Sequence, residues 1–596
     1  MKKIIILISF ASLFFSCQEN LTNNNENHGL GEVSTIFVVN GNNKAIVLWI
    51  APKDLSAEKY ILFRDTIENY AISESRKIAV FSSIPKGGFV DTPLVNNKEY
   101  YYTVVSEATI NLQIYRSAPH TYANAKPMDY SNISFGEIKY SKHIGQIFKS
   151  GCAVSDCHVS DNGFQKSSNS LHSGVFSLKS WDDLMNKNPI SSVVIPFKAN
   201  KSQIIFYLNR DSLLMAVSKP FMPNDDLSLP KNQIELLMKW IDAGAKNDND
   251  EIAFSEMPLK GRAFVTSQGE DLTTIIDLDK LQIARMITTG VENTLQQPPE
   301  APHNVSVDWK NEFYYVNLIS ASKILKFKLS DNSKVGELKT GIISPAQVAI
   351  TSTGDSALVT NFESQSKAIT VIDTKSMTIL KNINDPAMLK PHGVTITPDF
   401  QFALTANSFS DNLTLIKMSD LSIVATIPVS ASVPALPVGF QFKFEPYQIV
   451  FSKDSKLAFV TCKKSGEVRV IDLVQQKVID SIQVGSAPLI PAISPNGLFV
   501  YVPNRNSNSV SIINVNERKV TSTIQNIGVQ PHGIGISKDG KYAIVSCENL
   551  DLSQEPHHPT TGTKKIGIVS IIDLTTNQII KQFEVGNFAA GVATTY

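Results

Sequence analysis

Two cysteines and a histidine form the strongest chemical signal in the chain. Cys152 and Cys157 are separated by four residues, and His158 follows the second thiol directly. Thiols in such a motif add to the two vinyl groups of a haem, and the histidine that follows binds the iron. The usual motif has two residues between the cysteines, so the surrounding segment has to support this interpretation. The alternatives are a disulfide between the two cysteines and a zinc site with a fourth ligand.

The flanking residues predict two helices and a loop that suit a haem pocket. Residues 143–148 open a short amphipathic helix that leads into the thiols. A second helix is predicted with Ser228 as N-cap, Pro230 in the first turn and Gly244 as a C-terminal stop. Its apolar stripe consists of Ile234, Leu237, Met238 and Ile241. Between the helices, Met222 precedes a proline and offers a thioether sulfur as a second axial ligand.

Residues 139–247 resemble the cytochrome c domains of the planctomycete type. The pattern shared with that family runs I-x-x-I-F, C-A-x-S-x-C-H, M-P, L-S and W-I-D-A-G-A. The resemblance implies one covalent haem c, with Cys152 and Cys157 as thioether anchors, His158 as proximal ligand and Met222 as distal ligand. A histidine–methionine pair raises the reduction potential relative to two histidines, which suits electron transfer. Met222 as a merely packed thioether stays open. The rival distal ligands are Met215, His143 and His172.

The N-terminus predicts export and a lipid anchor. Two lysines precede mostly apolar residues from Ile4 to Phe15, and Ser16 then precedes Cys17. This arrangement resembles a bacterial lipoprotein signal, with cleavage before Cys17 and lipid on its sulfur, although Phe14 and Phe15 depart from the commonest lipobox. An ordinary secretory signal is the alternative. Because covalent haem is installed outside the bacterial cytoplasm, export and the haem motif agree, and we expect a cell-envelope protein, facing the periplasm or anchored in the outer membrane.

Composition excludes some partners and bounds the number of domains. The 596 residues contain 55 Lys plus Arg and 55 Asp plus Glu, so the formal net charge is zero. That balance gives no indication of nucleic acid as a partner. The length suggests three or four domains. Cys462 and Cys547 each end an apolar strand and are predicted to be buried free thiols.

Residues 35–126 predict a β-sandwich. Short strands at 45–49, 60–64 and 100–105 alternate with turn residues, as in sandwich folds. The segment resembles a fibronectin type III domain, with Trp49 as the core tryptophan and Tyr100 near the tyrosine corner. We expect a spacer or a docking surface here, without catalysis.

The C-terminal part consists of one repeat with a period of about 42–45 residues, which is typical of a propeller. Paired apolar strands are joined by tight turns such as residues 537–540, and two further strands complete each unit. Residues 261–290 lack an inner strand, and residues 590–595 are predicted to supply it and so close a ring of seven blades. The region resembles seven-bladed YVTN propellers of the YncE-like kind; residues 357–361 are the closest copy of the naming motif.

Three histidines occupy the same phase in three repeats. His303, His392 and His532 each follow a proline, and equivalent positions in a ring converge on its axis. They are candidate ligands for a metal or an anion. In the alternative, each histidine only bonds neighbouring backbone in a turn. Residues 549–564, which include His557 and His558, are an insertion that either caps the same mouth or forms a loop.

The sequence therefore predicts a multidomain, mainly β protein with a fibronectin III-like sandwich, a small α-helical cytochrome c domain and a seven-bladed propeller. The predicted segments are a signal peptide (1–17), a polar tether (18–34), the sandwich (35–126), the cytochrome domain (132–250) and the propeller (257–596). The main hypothesis is an electron carrier, anchored to a membrane, that exchanges electrons with a redox partner protein of the cell envelope. The alternatives are a haem-dependent oxidoreductase with an unknown small-molecule substrate or second metal at the propeller mouth, and a non-enzymatic binding scaffold. Whether the chain is an enzyme stays open.

Overall fold

The structure, a computed structural model, describes most of the chain. The described residues are 30–52, 57–110, 112–152, 177–187, 193–215, 217, 221–223, 226–255, 261–291, 298–308, 310–433, 442–556 and 565–595. They divide into two compact units, with the boundary after Ser255. In this part of the chain no helix is both long and apolar enough to cross a bilayer.

The N-terminal unit begins with two antiparallel sheets. The first sheet contains Thr35–Gly41, Lys44–Ile50 and Phe89–Asp91 in that spatial order. The second contains, in spatial order, Lys77–Phe81, Lys59–Asp65, Tyr100–Ile110 and Gln113–Arg116, and Ala123–Ala125 also pairs with Tyr100–Ile110. The predicted strands at 45–49, 60–64 and 100–105 are therefore confirmed as strands, while the assignment to the fibronectin family stays a prediction.

Aromatic residues fill the space between these sheets. Trp49 is buried, and its ring lies 5.2 Å from that of Phe81 and 5.7 Å from that of Tyr60, measured between centroids. The Tyr100 hydroxyl accepts a hydrogen bond from the Val95 backbone amide at 3.0 Å. Such a bond to backbone a few residues upstream fixes the turn that leads into the long strand.

Short helices follow the sandwich in the same unit. The α-helices are Gly145–Gly151, Trp181–Met185, Gln203–Leu208 and Lys231–Asp242, and the π-helix Tyr140–Ile144 precedes the first of them. Short 3₁₀ turns lie at Glu74–Arg76, Phe135–Glu137, Ala199–Lys201 and, in the second unit, Arg505–Ser507. The helix predicted before Gly244 is confirmed, and Gly244 ends it with a φ of 101°. The predicted N-cap at Ser228 is wrong, because Pro230 occupies that position and its carbonyl accepts from the Gln233 amide at 2.9 Å.

The second unit consists of seven four-stranded antiparallel sheets, one for each predicted blade. Their strands, numbered by blade from the inner strand outward, are Ala589–Thr594, Arg262–Ser267, Leu272–Asp277 and Gln282–Thr288 in blade 1; Pro302–Asp308, Phe313–Leu318, Lys323–Lys328 and Lys334–Leu338 in blade 2; Pro345–Ile350, Ser356–Asn361, Ala368–Asp373 and Thr378–Asn384 in blade 3; and Pro391–Ile396, Phe402–Asn407, Asn412–Lys417 and Ser422–Pro428 in blade 4. The remaining strands are Pro446–Phe451, Leu457–Cys462, Glu467–Asp472 and Lys477–Gln483 in blade 5; Ala492–Ile493, Phe499–Asn504, Ser509–Asn514 and Lys519–Gln525 in blade 6; and Pro531–Ile536, Tyr542–Cys547, Gly567–Asp573 and Gln578–Val585 in blade 7.

The ring closes through blade 1, as predicted. Its inner strand Ala589–Thr594 comes from the end of the chain and pairs with Arg262–Ser267, from the start of the propeller. The inner strand of blade 6 is shorter than predicted, because Pro491 has no amide to donate. The preceding Ile490 forms a parallel bridge to Gly533 of blade 7 instead.

Polar side chains also join four of the blades to the next one in the ring. A residue with positive φ precedes the third strand in several blades, and its side chain accepts hydrogen bonds from the backbone that leads into the next blade. Asp271 accepts from Glu300 and Ala301 at 3.0 and 2.9 Å. The same role falls to Ser322, Asp411 and Asn508. Asp and Asn tolerate this left-handed conformation better than most residues, which explains their recurrence at this turn.

Candidate functional site

The first predicted thiol lies at the end of a buried helix. Cys152 caps Gly145–Gly151, and its amide donates to the Phe148 carbonyl at 2.8 Å. The side chain is buried, and burial raises the pKa of the thiol to about 12. A free thiol in this position is therefore a poor nucleophile at neutral pH. Cys157 and His158 lie outside the described residues, as does Cys17.

The predicted distal ligand lies on a segment that meets the same helix end. Met222 is half-buried, and its amide donates to the Tyr207 carbonyl at 2.9 Å. A Cβ at Gly151 would lie 4.0 Å from Cγ of Pro223 and 3.3 Å from the Val38 carbonyl oxygen. Pro223, which follows Met222, therefore lies near the residue that precedes Cys152.

The rival ligand His143 already has a hydrogen-bonding role. Its Nδ1 accepts from the Lys139 amide at 3.0 Å, so the neutral ring carries its proton on Nε2. Burial, together with the charge of Lys142, lowers the pKa of His143. A ring in this tautomer has no free lone pair for iron. Met215 is half-buried, and His172 lies outside the described residues.

The three propeller histidines meet in one buried cluster, which we call the axial cluster. His303, His392 and His532 are the second residues of the inner strands of blades 2, 4 and 7, and each is at most 4% exposed. Nε2 of His303 lies 3.2 Å from Nε2 of His392. The His303 ring centroid is 5.3 Å from that of His392 and 5.4 Å from that of His532.

The other ring nitrogen of each histidine has its own partner. Nδ1 of His303 lies 3.0 Å from Nε2 of Gln268. His392 directs its Nδ1 at the Tyr447 carbonyl at 3.0 Å, while His532 directs its Nδ1 at Oε1 of Glu548 at 2.6 Å. The alternative in which each histidine only bonds neighbouring backbone therefore accounts for Nδ1 of His392 but not for the side-chain partners of His303 and His532.

Glu548 is itself held by a bidentate arginine. Nε of Arg505 lies 3.0 and 2.9 Å from the two carboxylate oxygens, and Nη2 lies 2.6 Å from Oε2. Burial alone would raise the pKa of Glu548, but the hydrogen bonds and charges of His532 and Arg505 outweigh it and lower that pKa. Glu548 is therefore a carboxylate at neutral pH, and it fixes the orientation of the His532 ring.

Burial keeps the other two imidazoles neutral. Removal from water, and then the neighbouring His532, lower the pKa of His303 to about 3. Burial also places the pKa of His392 well below its ordinary value. Neutral rings offer nitrogen lone pairs, which suit hydrogen-bond donors or transition metals. No group of three or more His, Cys, Asp or Glu side chains in the described ranges is already arranged to hold a metal ion.

Sequence reasoning missed the partners of these histidines. Gln268, Arg505 and Glu548 each follow directly the second strand of their blade, so they share one phase of the repeat. That phase was available from the sequence, because it is one residue past the apolar strand in each repeat. The contacts between these residues could not be predicted from the sequence, since they join positions up to 43 residues apart.

Comparison with known proteins supports the propeller. The model of a family described as Lactonase, 7-bladed beta-propeller, matches residues 382–554. A curated relative, antigen Lp49 of Leptospira interrogans serogroup Icterohaemorrhagiae serovar copenhageni (strain Fiocruz L1-130), is 27% identical over 160 residues, which cover 25% of this chain and 33% of the relative. The chain thus spans about a third of the length of that relative.

Similar solved structures have low TM-scores. Hydrazine synthase of Kuenenia stuttgartiensis has a TM-score of 0.36 at 18% identity, covering 46% of this chain and 76% of that one. A protein of unknown function from Desulfotomaculum acetoxidans DSM 771 has a TM-score of 0.36 at 17% identity, with coverages of 48% and 81%. Dihydro-heme d1 dehydrogenase NirN in complex with DHE has a TM-score of 0.40 at 12% identity, with coverages of 63% and 88%. The strand topology and the family match together define the second unit as a seven-bladed β-propeller.

Proposed function

We propose that this chain is an electron-transfer cytochrome of the bacterial cell envelope, with one covalent haem c in the N-terminal unit and the propeller as a docking platform for a redox partner protein. The observation that supports it most is that Pro223, next to Met222, lies near Gly151, next to Cys152. Two segments distant in sequence, each bearing one residue type that haem c requires, lie side by side.

The donor set fits the group. Thioether bonds from Cys152 and Cys157 would hold the porphyrin, with His158 and Met222 on the iron. When bound, haem c supplies a one-electron iron couple whose potential the axial methionine raises. The chain's own part is to exclude water and fix the attachment point. Ile147 and Phe148 are buried on the helix before Cys152, and the hydrogen bond from its amide holds the thiol at the helix end.

The attachment is tested by removing the two thiols. We expect Cys152→Ala combined with Cys157→Ala to abolish haem that survives denaturation and solvent extraction, after expression in a host that matures cytochromes c. The matched control is Cys462→Ala combined with Cys547→Ala, which removes two buried free thiols of the propeller and should leave the haem in place. Covalent haem that persists without Cys152 and Cys157 would refute the proposed anchors.

The distal ligand is tested separately. Met222→Ala should remove the charge-transfer band from methionine to ferric iron and lower the reduction potential, because the iron loses its thioether. Met215→Ala, which removes a half-buried methionine nearby in sequence, is the control and should change neither. If the spectrum of Met222→Ala equals that of the wild type, another residue is the ligand.

A haem-dependent oxidoreductase is the second candidate, and the axial cluster favours it. Three histidines and a carboxylate are buried together in the propeller beside a half-buried arginine, where a pure docking platform needs no such groups. Metal analysis of the exported protein is the first test of this candidate. One iron and no other metal favours the carrier, whereas a stoichiometric second transition metal is required for the oxidoreductase and is also compatible with a carrier.

A further inference from the structure

One nitrogen of the axial cluster has no hydrogen-bond partner in the described residues. His532 directs its Nδ1 at Glu548, so whenever the ring carries a single proton, Nε2 has a free lone pair. Nε2 is buried and makes no hydrogen bond within the described ranges. A buried polar nitrogen without a partner destabilises the folded protein. The Arg505–Glu548 pair keeps the Nδ1 edge of the ring at the carboxylate, which leaves the Nε2 edge as the side available to a ligand.

A second lone pair lies on His392. Its Nδ1 proton is directed at the Tyr447 carbonyl, which leaves Nε2 as an acceptor in the neutral ring. That atom is 3.2 Å from Nε2 of His303. Two imidazole nitrogens bound to one tetrahedral ion at about 2.05 Å are about 3.3 Å apart. The His303–His392 pair therefore already has the separation of two ligands of one metal ion.

His303 can change its proton arrangement without any movement of the backbone. With the Gln268 amide donating to Nδ1, the His303 proton lies on Nε2 and points at His392, which satisfies the metal-free state. A half-turn of the amide presents its oxygen to Nδ1 instead. The His303 proton then belongs on Nδ1, and Nε2 becomes free for a metal.

From these three observations we propose that Nε2 of His303, His392 and His532 bind one divalent transition-metal ion on the propeller axis. Neutral imidazoles suit Zn²⁺ and Cu²⁺, whereas Ca²⁺ and Mg²⁺ prefer oxygen ligands. The three side chains are not yet arranged as a metal site in the described residues, so at least one ring has to change its orientation on binding. Three protein ligands leave a fourth position open, as in catalytic zinc sites.

Each ligand has a second partner that fixes its ring, which is the usual support of a metal-bound histidine. The Glu548 carboxylate is the most informative, because it touches only the far side of the His532 ring. Its charge also raises the basicity of Nε2. Replacing Glu548 by Gln keeps the size of the side chain while removing the charge, so it isolates the contribution of this support.

The experiment titrates purified full-length haem protein, stripped of metals with EDTA, with zinc sulfate alone. We expect one Zn²⁺ per chain by calorimetry and by metal analysis after gel filtration. His303→Gln and His532→Gln should each weaken binding by at least 100-fold, and Glu548→Gln by about 10–100-fold. His120→Gln alters a histidine of the sandwich, 3.7 Å from Glu32, and should leave the titration unchanged.

Three results would overturn the proposal. The first is binding of less than one zinc ion per five chains. The second is equal zinc affinity of the wild type and the double variant with His303→Gln and His532→Gln. The third is equal zinc affinity of the wild type and Glu548→Gln. If the histidine variants do not fold, the Glu548→Gln titration and the zinc-dependent rise in the wild-type melting temperature decide the matter. The site does not depend on haem, because the Cys152→Ala, Cys157→Ala variant should bind zinc with the same stoichiometry. A missing haem and a missing zinc are therefore separate failures.

Discussion

Asp411 provides a sharp test of how the blades are held together. Its buried carboxylate accepts hydrogen bonds from three consecutive backbone amides, those of Lys443, Phe444 and Glu445; the last two are 3.1 and 2.8 Å long. These residues lead into the inner strand Pro446–Phe451. That strand contains Tyr447, whose carbonyl accepts from His392, so the carboxylate also supports one wall of the axial cluster.

The cost of Asp411→Ala can be worked out against Ser322→Ala. Both residues precede the third strand of their blade with positive φ, 49° and 53°, so the penalty for alanine in that conformation is the same in both variants and cancels. Ser322 makes one such bond, to the Ser344 amide at 3.0 Å. At about 1 kcal/mol net per bond, the two additional bonds of Asp411 predict a difference of about 2 kcal/mol.

Urea unfolding of the two variants, followed by a spectroscopic signal of the propeller, measures this difference. Asp411→Ala should be less stable than Ser322→Ala by about 2 kcal/mol at an equal denaturant slope. Asp411→Asn keeps one acceptor oxygen and should fall between wild type and Asp411→Ala. Equal losses for Asp411→Ala and Ser322→Ala would refute the idea that these carboxylate bonds hold blade 5 to blade 4.

Three further outcomes are expected. Asn317 is buried with neither amide atom hydrogen-bonded in the described residues, so Asn317→Thr should stabilise the propeller by about 1 kcal/mol. Thr360→Val loses a hydrogen bond to the His392 carbonyl at 2.9 Å and should destabilise the propeller by a similar amount. Thermal unfolding measures both changes in stability, and the same sign for both variants would contradict this reasoning. Burial lowers the pKa of Lys581 from 10.5 to about 8. Between these pH values the unfolded chain binds more protons than the folded one, so the free energy of unfolding should rise with pH from 8 to 10. That rise should disappear in Lys581→Met, and an unchanged slope would show that burial does not lower the pKa of Lys581. Cys17→Ser should move the protein from the membrane to the soluble fraction on centrifugation, and protein that still sediments with membranes would rule out the lipid anchor.

The architecture of the propeller followed from repeated local patterns. The period of the apolar strands and the polar turns predicted the blades, and the missing inner strand at 261–290 predicted that the chain end completes blade 1. Cys462 and Cys547 are confirmed as buried free thiols, because each ends the equivalent second strand in its blade. Such features depend on residues that are close in sequence, so they can be predicted from the sequence alone.

The chemistry of the axial cluster depends on contacts between blades, which local patterns do not encode. Glu548 is sixteen residues from His532, whose ring it orients, and Arg505 is a further blade away. In a repeat, any polar residue just past a strand is a candidate partner for several histidines. Only the register of the closed ring decides which of them meet.

That register explains why these three histidines converge. One residue from each blade occupies the same phase at the axis: Ala590, His303, Ala346, His392, Tyr447, Leu489 and His532, from blade 1 to blade 7. His303 in blade 2 touches rings two blades away on either side, in blades 4 and 7. The blades between them contribute Ala346 and Ala590, whose side chains end at Cβ and leave the space open. On the far side, Tyr447 stacks on His392 at 3.6 Å and packs with Leu489, so apolar side chains occupy that part of the ring. The small residues therefore matter as much as the histidines: a bulky side chain at residue 346 would separate His303 from His392 even with every Pro-His pair in place.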